Sequence, residues 1–267
     1  KPENLDAILT IGKIAFEDSS FNASMQCFNF IIENSNAKNE LINAHLYLIK
    51  IAIATKNPET KSLFERVFKQ YGKNTASLEI QVAYATFLTF SENKPEEAIV
   101  VLTEALSYAN SKFDKASIQL KLGDVLVFTG KFNKALIYFS KIQTQLKNHE
   151  LGQEARFKVA QTSYFKGDFD WAKAQLKILK SSTTQLIAND AVALFLKISD
   201  NEPVDSIPSG LKQLARAELL AFQNKNDAAL TALNSLFTKK GVFINGLIPG
   251  EVIYDDVLFF KAKLLIK

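Results

Sequence analysis

Apolar residues recur along this chain at intervals of three and four positions, in stretches that come in pairs. That spacing predicts amphipathic helices, because residues three and four apart share one face of a helix. The first stretches of the pairs are LDAILTIGKIAF, NAHLYLIKIAIA, LEIQVAYATFLTF, ASIQLKLGDVLVF and ARFKVAQTSYF. After a short polar turn come the second stretches, FNASMQCFNFII, PETKSLFERVF, PEEAIVVLTEAL, FNKALIYFSKI and FDWAKAQLKIL. The repeating unit is therefore predicted to be an antiparallel pair of helices.

The pairs repeat with a fixed period of 37 residues. The second stretches begin at Phe21, Pro58, Pro95, Phe132 and Phe169. The same step relates a mostly small residue in each first stretch, at Gly12, Ile49, Thr86, Gly123 and Ala160. Large residues follow in the second stretches, at Phe28, Leu102, Phe139 and Leu176. Small residues let paired helices approach closely, and the large ones are expected to fill the gap to the next unit. A period of this length indicates a solenoid, in which stacked units bury a continuous core.

These features resemble the tetratricopeptide repeat (TPR) family. Its unit of about 34 residues has a small residue in helix A and an alanine plus an aromatic residue in helix B. The match is best over residues 116–149, which contain Leu122, Gly123, Gly130, Ala135 and Phe139. The resemblance implies an all-α fold, an α-solenoid of antiparallel helix pairs in a right-handed superhelix, with A helices along its concave face. The longer period predicts an altered curvature.

The rhythm changes after Gly167, because the next turn of the same kind lies at Asn224. This interval is longer than one period, and the additional residues predict one extra helix, LIANDAVALFLKIS, and a proline-containing loop. We therefore predict five TPR-like pairs over residues 1–182, the extra helix and loop over 183–209, and one further pair plus the first helix of a truncated unit over 210–267. A solenoid normally ends in a polar cap, so the apolar last helix suggests a fragment of a longer chain.

A second resemblance covers about a third of the chain. The segments GDFDWAKAQLKILKSSTTQLIANDAVALFLKISDN and YDDVLFFKAKLL are similar to long TPR proteins of the Bacteroidota. This resemblance implies a bacterial envelope scaffold, and it favours the periplasm or an outer-membrane-associated place over the cytoplasm. The sequence itself leaves the compartment open.

Composition and charge exclude some classes of function. Apolar residues make up 47% of the chain and charged residues 22%, which is typical of a folded protein and not of a disordered one. The net charge of +4 comes from 32 basic residues, only three of them Arg, against 28 acidic ones. Nucleic-acid binders cluster Lys and Arg on one face and use the bidentate geometry of Arg. We therefore expect no nucleic-acid partner, and a helical-repeat RNA binder is the least favoured alternative.

The residues that catalysis or metal binding needs do not converge in this sequence. The two histidines, His45 and His149, belong to different units, and the single cysteine excludes a Cys-based zinc site. The nearest candidate for a cation site is the acidic group Glu251, Asp255 and Asp256. Acids in the first turn of a helix stabilise its dipole without any ligand. We therefore expect a protein that is not an enzyme and that has neither cofactor nor metal.

The remaining candidate is a binding surface. In TPR proteins the residue after the small position of helix A and the residue two before it point into the concave groove. By that resemblance the predicted partner-binding residues are Lys13, Tyr47, Lys50, Tyr84, Phe87, Lys121, Asp124, Lys158 and Gln161. Aromatic residues would anchor a peptide or partner protein, and the lysines would select acidic segments. The alternative is a structural solenoid that self-associates through its terminal helix, and the oligomeric state is open.

Overall fold

The computed structural model describes residues 4–179, 185–202, 210–236 and 252–266. All regular elements in these ranges are helical, and these ranges contain no strand. The helices are α1 Leu5–Glu17, α2 Phe21–Asn34, α3 Lys38–Ala54, α4 Thr60–Tyr71, α5 Leu78–Phe90, α6 Pro95–Tyr108, α7 Lys112–Phe128, α8 Phe132–Gln145, α9 Glu150–Lys166, α10 Phe169–Leu179, α11 Gln185–Asp200, α12 Leu211–Phe222, α13 Asn226–Asn234 and α14 Val252–Leu265. A short 3-10 helix, Thr75–Ser77, precedes α5.

Consecutive helices pack against each other in pairs. Such contacts join α1 to α2, α3 to α4, α5 to α6, α9 to α10 and α12 to α13. The ring of Phe139 in α8 lies against Gly123 in α7, which joins the remaining pair. The predicted all-α fold of helix pairs is therefore confirmed. The first member of each pair is called its A helix (α1, α3, α5, α7, α9 and α12), and the second its B helix (α2, α4, α6, α8, α10 and α13).

The turn between the two helices of a pair has the same backbone conformation in each of the six pairs. One residue in each turn has a positive φ, between 52° and 85°. These residues are Ser19, Lys56, Asn93, Gly130, Gly167 and Asn224. The first five are spaced by the 37-residue period. The N–H of the next residue then bonds back to a carbonyl of helix A, as from Ser20 to Ala15 at 2.8 Å. This geometry satisfies carbonyl groups that the helix end leaves without a partner.

Four of the five B helices of the regular repeats begin at the predicted residue. They are α2, α6, α8 and α10. The exception is α4, which begins at Thr60 and not at Pro58. The hydroxyl of Thr60 donates to the carbonyl of Asn57 at 2.6 Å, so the turn here extends by two residues before the helix starts.

The core lies between the paired helices and between successive pairs. The large residues predicted to fill it, Phe28, Leu102, Phe139 and Leu176, are all fully buried. Small partners stand beside them, and the hydroxyl of Ser24 donates to the carbonyl of Gly12 at 2.8 Å across the first pair. Where the small position holds Ile49, the side chain is also fully buried, in a cluster with Phe64, Val67 and Ile80. The repeat therefore accepts a large side chain at a place where the pattern favours a small one.

The contacts divide the chain into two compact units, Lys1–Lys121 and Leu122–Lys267. In the second unit α12 packs against α9 although α10 and α11 lie between them in sequence. The extra helix α11 packs on α10, and its Leu194 and Ile198 join the apolar core there. The three predicted domain boundaries stay a prediction. The segments 203–209 and 237–251, which include Glu251 of the acidic group, lie outside the described residues.

Candidate partner-binding groove

The first unit has an open groove of 460 Å³ between α3 and α5. Its walls come mainly from these two A helices, with one residue each from α1 and α7. The lining residues are Phe16, Leu46, Lys50, Ile53, Ala54, Glu79, Val82, Ala83, Thr86 and Ser117. This set is called the A-helix groove. Six of its ten residues have wholly apolar side chains, so the groove offers a hydrophobic surface with a few polar groups, as binding clefts commonly do.

The helical pattern explains why these residues line the groove. On α5 the lining positions are Glu79, Val82, Ala83 and Thr86, which are three, four and seven apart and so lie on one stripe. The opposite stripe of α5 contains Ala85 and Leu88, which are buried in the core. One side of α5 is therefore turned to the core, and the other side presents both apolar and polar residues to the groove.

The Tyr47 ring connects the groove to the core of the first pair. It stacks on Phe28 with ring centroids 4.7 Å apart, and it meets the edge of Phe16 at 5.6 Å. Two ammonium groups approach the same ring: Nζ of Lys50 lies 4.5 Å from its centroid and Nζ of Lys13 lies 5.7 Å from it. Contacts of this kind attract a cation to the ring face. The structure thus brings together three of the predicted binding residues around one aromatic ring.

Lys50 is half-buried, and this position disfavours its charge. Burial lowers the pKa of its ammonium group below the usual 10.5, the carboxylate of Glu79 partly offsets that effect, and the positive charge of Lys13 adds to it. Within the residues that the structure describes, neither lysine forms an ion pair, and neither does Glu79. The groove lining therefore carries one cation, Lys50, and one anion, Glu79, and Lys13 lies at the Tyr47 ring that Lys50 also contacts.

Tyr84 and Phe87 lie elsewhere. The Tyr84 ring packs on Phe64 at 4.9 Å and on Phe68 at 5.5 Å, both in the preceding B helix. Burial raises the pKa of the Tyr84 hydroxyl, and so do the carboxylates of Glu97, Glu65 and Glu92. Phe87 is 7% exposed and its ring centroid is 5.6 Å from that of Phe64. Neither residue lines the A-helix groove, and their binding role stays a prediction.

The other predicted residues divide between the two units. Lys121 belongs to the first unit, whereas Asp124, Lys158 and Gln161 belong to the second. Nζ of Lys158 lies 3.0 Å from Oδ1 of Asp124, which is 8% exposed, so this pair ties α9 to α7. Gln161 is partly exposed. The binding role of these residues stays a prediction.

Sequence reasoning missed most of the groove lining, including Phe16, Glu79 and Ala83. The 3.6-residue pattern could not identify them, because α5 is apolar on nearly all sides and the pattern does not show which apolar side faces out. Glu79 did not indicate a binding site from the sequence, because acidic residues are common in the first turn of a helix, where they stabilise its dipole.

The histidines and acids with possible chemical roles have structural partners instead. Nδ1 of His45 lies 2.7 Å from the carbonyl oxygen of Leu41, and Nδ1 of His149 accepts a hydrogen bond from the N–H of Leu151 at 3.2 Å, which caps α9. Asp256 accepts from Asn201 at 2.8 Å. In the described part of the chain no three His, Cys, Asp or Glu side chains lie close enough to hold a metal ion. None of the described helices is long and apolar enough to cross a membrane.

Comparison with known proteins finds matches to the structure of this chain and none to its sequence. No family model matches the chain, and no curated protein matches it either. Solved structures do match it in fold. PilF of Pseudomonas aeruginosa is 17% identical, with 98% of each chain covered and a TM-score of 0.52. PilW, described as a widely conserved type IV pilus biogenesis factor, is 14% identical, with 95% of this chain and 98% of its own covered and a TM-score of 0.53.

This chain has a TPR-like fold of repeated helix pairs. Both structural neighbours are TPR-type helical-repeat proteins of closely similar length, and the paired helices described above supply the same architecture. At 14% and 17% identity, the likeness establishes the fold of this TPR-like protein and not its activity.

Proposed function

We propose that this TPR-like protein is a non-catalytic interaction scaffold, and that its A-helix groove binds a segment of a partner protein. One observation carries the proposal. A largely apolar groove is lined by Lys50 and, on the facing helix, by Glu79, neither of which forms an ion pair among the described residues. Lys13 approaches the same Tyr47 ring as Lys50. Apolar area with a few oriented polar groups is the general design of a recognition site.

The partner segment would place apolar side chains between α3 and α5 and an acidic group near the two lysines. Binding there would relieve the repulsion between Lys13 and Lys50, because a carboxylate can interact with both. Stacked helix pairs hold the groove in place before binding, which lowers the cost of ordering it. We further propose that this scaffold serves a bacterial envelope assembly, and the fold that it shares with PilW, a type IV pilus biogenesis factor, supports this proposal.

The test is affinity isolation of partners from the native source, with the full-length protein as bait. The bait is compared with a double variant, Lys13→Glu with Lys50→Glu, and with a charge-matched control, Lys61→Glu with Lys69→Glu, on the exposed side of α4. We expect a partner that is lost from the groove variant and kept by the control, with purified components then showing at least a tenfold weaker affinity. Equal recovery from both variants would move the interface away from the groove.

Self-association through the terminal helix is a second candidate, and one observation favours it. Helix α14 exposes Phe259 at 63% and Leu265 at 67%, and Nζ of Lys263 lies 4.3 Å from the Phe259 ring centroid. Sedimentation over a hundredfold range of concentration distinguishes this function. A mass that doubles in the wild type and stays constant in Phe259→Lys supports it, whereas a constant monomer mass excludes it.

A further inference from the structure

The side chain of Lys50 lies in surroundings that favour its neutral form. It is half-buried and lines the A-helix groove together with apolar residues such as Leu46 and Val82. A half-buried ammonium group loses part of its hydration, which disfavours the charged form. Lys50 forms no ion pair among the residues that the structure describes, so no direct contact with a carboxylate compensates for that loss.

A second cation lies close to Lys50. The Nζ atoms of Lys50 and Lys13 are 4.5 Å and 5.7 Å from the centroid of the same Tyr47 ring, and they reach it from different helices, α3 and α1. Two like charges in one place favour the loss of a proton. Burial and the charge of Lys13 both lower the pKa of the Lys50 ammonium group, and the carboxylate of Glu79 on α5 offsets them only in part.

These surroundings are the ones that make a lysine reactive. A neutral lysine amine is a nucleophile, and proteins activate it by desolvation in an apolar pocket or by a neighbouring cation. Both conditions are met at Lys50, which lines an apolar groove and shares the Tyr47 ring with Lys13. The groove also gives access, because it is open and its volume of 460 Å³ is enough for a small molecule.

The positive charge of Lys13 determines which reagent is favoured. Lys13 forms no ion pair among the described residues, so its ammonium group can interact with an anion. An acyl donor with its negative charge next to the reacting carbonyl group can contact Lys13 while the Lys50 amine attacks. Acyl phosphates have this arrangement, because their phosphate is bonded directly to the carbonyl carbon, and phosphate accepts strong hydrogen bonds from ammonium groups.

We infer that Lys50 is a covalent modification site, which small acyl phosphates acylate. The amine nitrogen attacks the carbonyl carbon, and the bond from that carbon to the phosphate oxygen breaks. Phosphate leaves with the electron pair of that bond and takes up the proton that the nitrogen loses, so the products are an amide at Lys50 and inorganic phosphate. The amide is uncharged, so acylation removes one of the two positive charges at the Tyr47 ring and should weaken the binding of an acidic partner segment. Only this last consequence rests on the proposed function.

Competitive labelling of the full-length protein ranks its lysines by reactivity. The protein is treated near neutral pH with a trace of acetic anhydride, which is a neutral acyl donor, or with acetyl phosphate, and mass spectrometry measures the acetylation rate at each lysine. Lys50 is expected to react several-fold faster than Lys61 and Lys69 on the exposed side of α4, since each unit by which a pKa falls raises the neutral fraction about tenfold. The preference should be greater with acetyl phosphate than with acetic anhydride, and it should disappear in urea-unfolded protein.

Two substitutions of Lys13 test its part in the reaction. Lys13→Arg keeps the positive charge and is expected to retain the acetyl phosphate rate at Lys50, whereas Lys13→Met is expected to lower that rate several-fold. The inference is overturned if Lys50 reacts no faster than Lys61 and Lys69, if acetyl phosphate shows no greater preference than acetic anhydride, or if the two Lys13 variants react alike. The proposed function fails separately, when affinity isolation does not depend on Lys13 and Lys50, and selective acylation of Lys50 would then still establish the modification site.

Discussion

The ring of Phe139 lies so close to the Cα of Gly123 that a β-carbon there would stand 2.3 Å from Cε1 and 2.5 Å from Cζ. Gly123 is the small residue of helix A in the fourth pair, and Phe139 is the large residue of helix B, fully buried. The contact therefore shows physically why the fourth pair has glycine at one of these places and an aromatic residue at the other.

Gly123→Ala is expected to destabilise the protein by about 2 kcal/mol, because overpacking a core costs 1–3 kcal/mol and outweighs the better helix propensity of alanine. Urea denaturation measures the change. In the double variant with Phe139→Leu, the smaller side chain leaves room for the methyl group, so the combined loss is expected to be less than the sum of the single losses. Strict additivity would contradict the contact as described.

The turns predict opposite effects of glycine at two positions. Lys56 has φ 52° in the second turn, where a side chain is unfavourable, so Lys56→Gly is expected to stabilise by about 1 kcal/mol. Gly167 has φ 85° in the fifth turn, and Gly167→Ala is expected to destabilise by a similar amount. Thermal unfolding checks both. Arg66→Gly, at an exposed position in the middle of α4, is the control and should destabilise by about 1 kcal/mol. A loss of stability in Lys56→Gly would be the contrary result.

The repeat could be predicted from the sequence because its signals are local. Gly130 and Gly167 mark the turns, and the helices after them begin where expected. The same turn also forms at Ser19 and Lys56, where no glycine marks it, so there the 37-residue spacing was the deciding signal. The additional packing of α12 on α9 past α11 was not predictable, because it depends on contacts between residues far apart in sequence.

The site was harder to predict than the fold. The family pattern selected Lys13, Tyr47 and Lys50, which do meet around one ring. It also selected Tyr84, whose ring packs on Phe64 of the preceding B helix as the Tyr47 ring packs on Phe28. What differs is the surroundings, because the cation–ring contacts of the two lysines are formed at Tyr47. Those contacts depend on residues from two different A helices, which a pattern along one helix does not show.

The ion pair between Lys158 and Asp124 is expected to contribute to the stability of the second unit. Lys158→Met leaves a mostly buried carboxylate with one cation fewer and should destabilise by about 1–2 kcal/mol, a value below that of a fully buried pair because Lys158 is partly exposed. Adding Asp124→Asn removes the charge that was left and should recover part of the loss. A double-mutant cycle in urea measures the coupling, and a coupling of zero would show that the pair contributes nothing.

Lys50 is expected to be a residue that binding needs and stability does not. Its charge is disfavoured in the folded state by burial and by Lys13, so Lys50→Met should raise the unfolding midpoint at pH 7. The same change should weaken the binding of an acidic partner segment. Lys61→Met, on the exposed side of α4, is the control and should change stability by less than about 0.5 kcal/mol.

The stability difference between Lys50→Met and the wild type should depend on pH, and that dependence tests whether the charge of Lys50 is its cause. Because the pKa of Lys50 is lowered in the folded protein, the folded state loses this proton before the unfolded state does. Over the range from that lowered pKa up to 10.5, the unfolded state binds more protons, so this group makes the wild type more stable as the pH rises. The advantage of Lys50→Met should therefore be largest near pH 7 and shrink towards pH 10.5. If Lys50→Met is instead less stable at pH 7, the attraction of the ammonium group to the Tyr47 ring outweighs its desolvation, and Lys50 is part of the structural framework as well as of the groove.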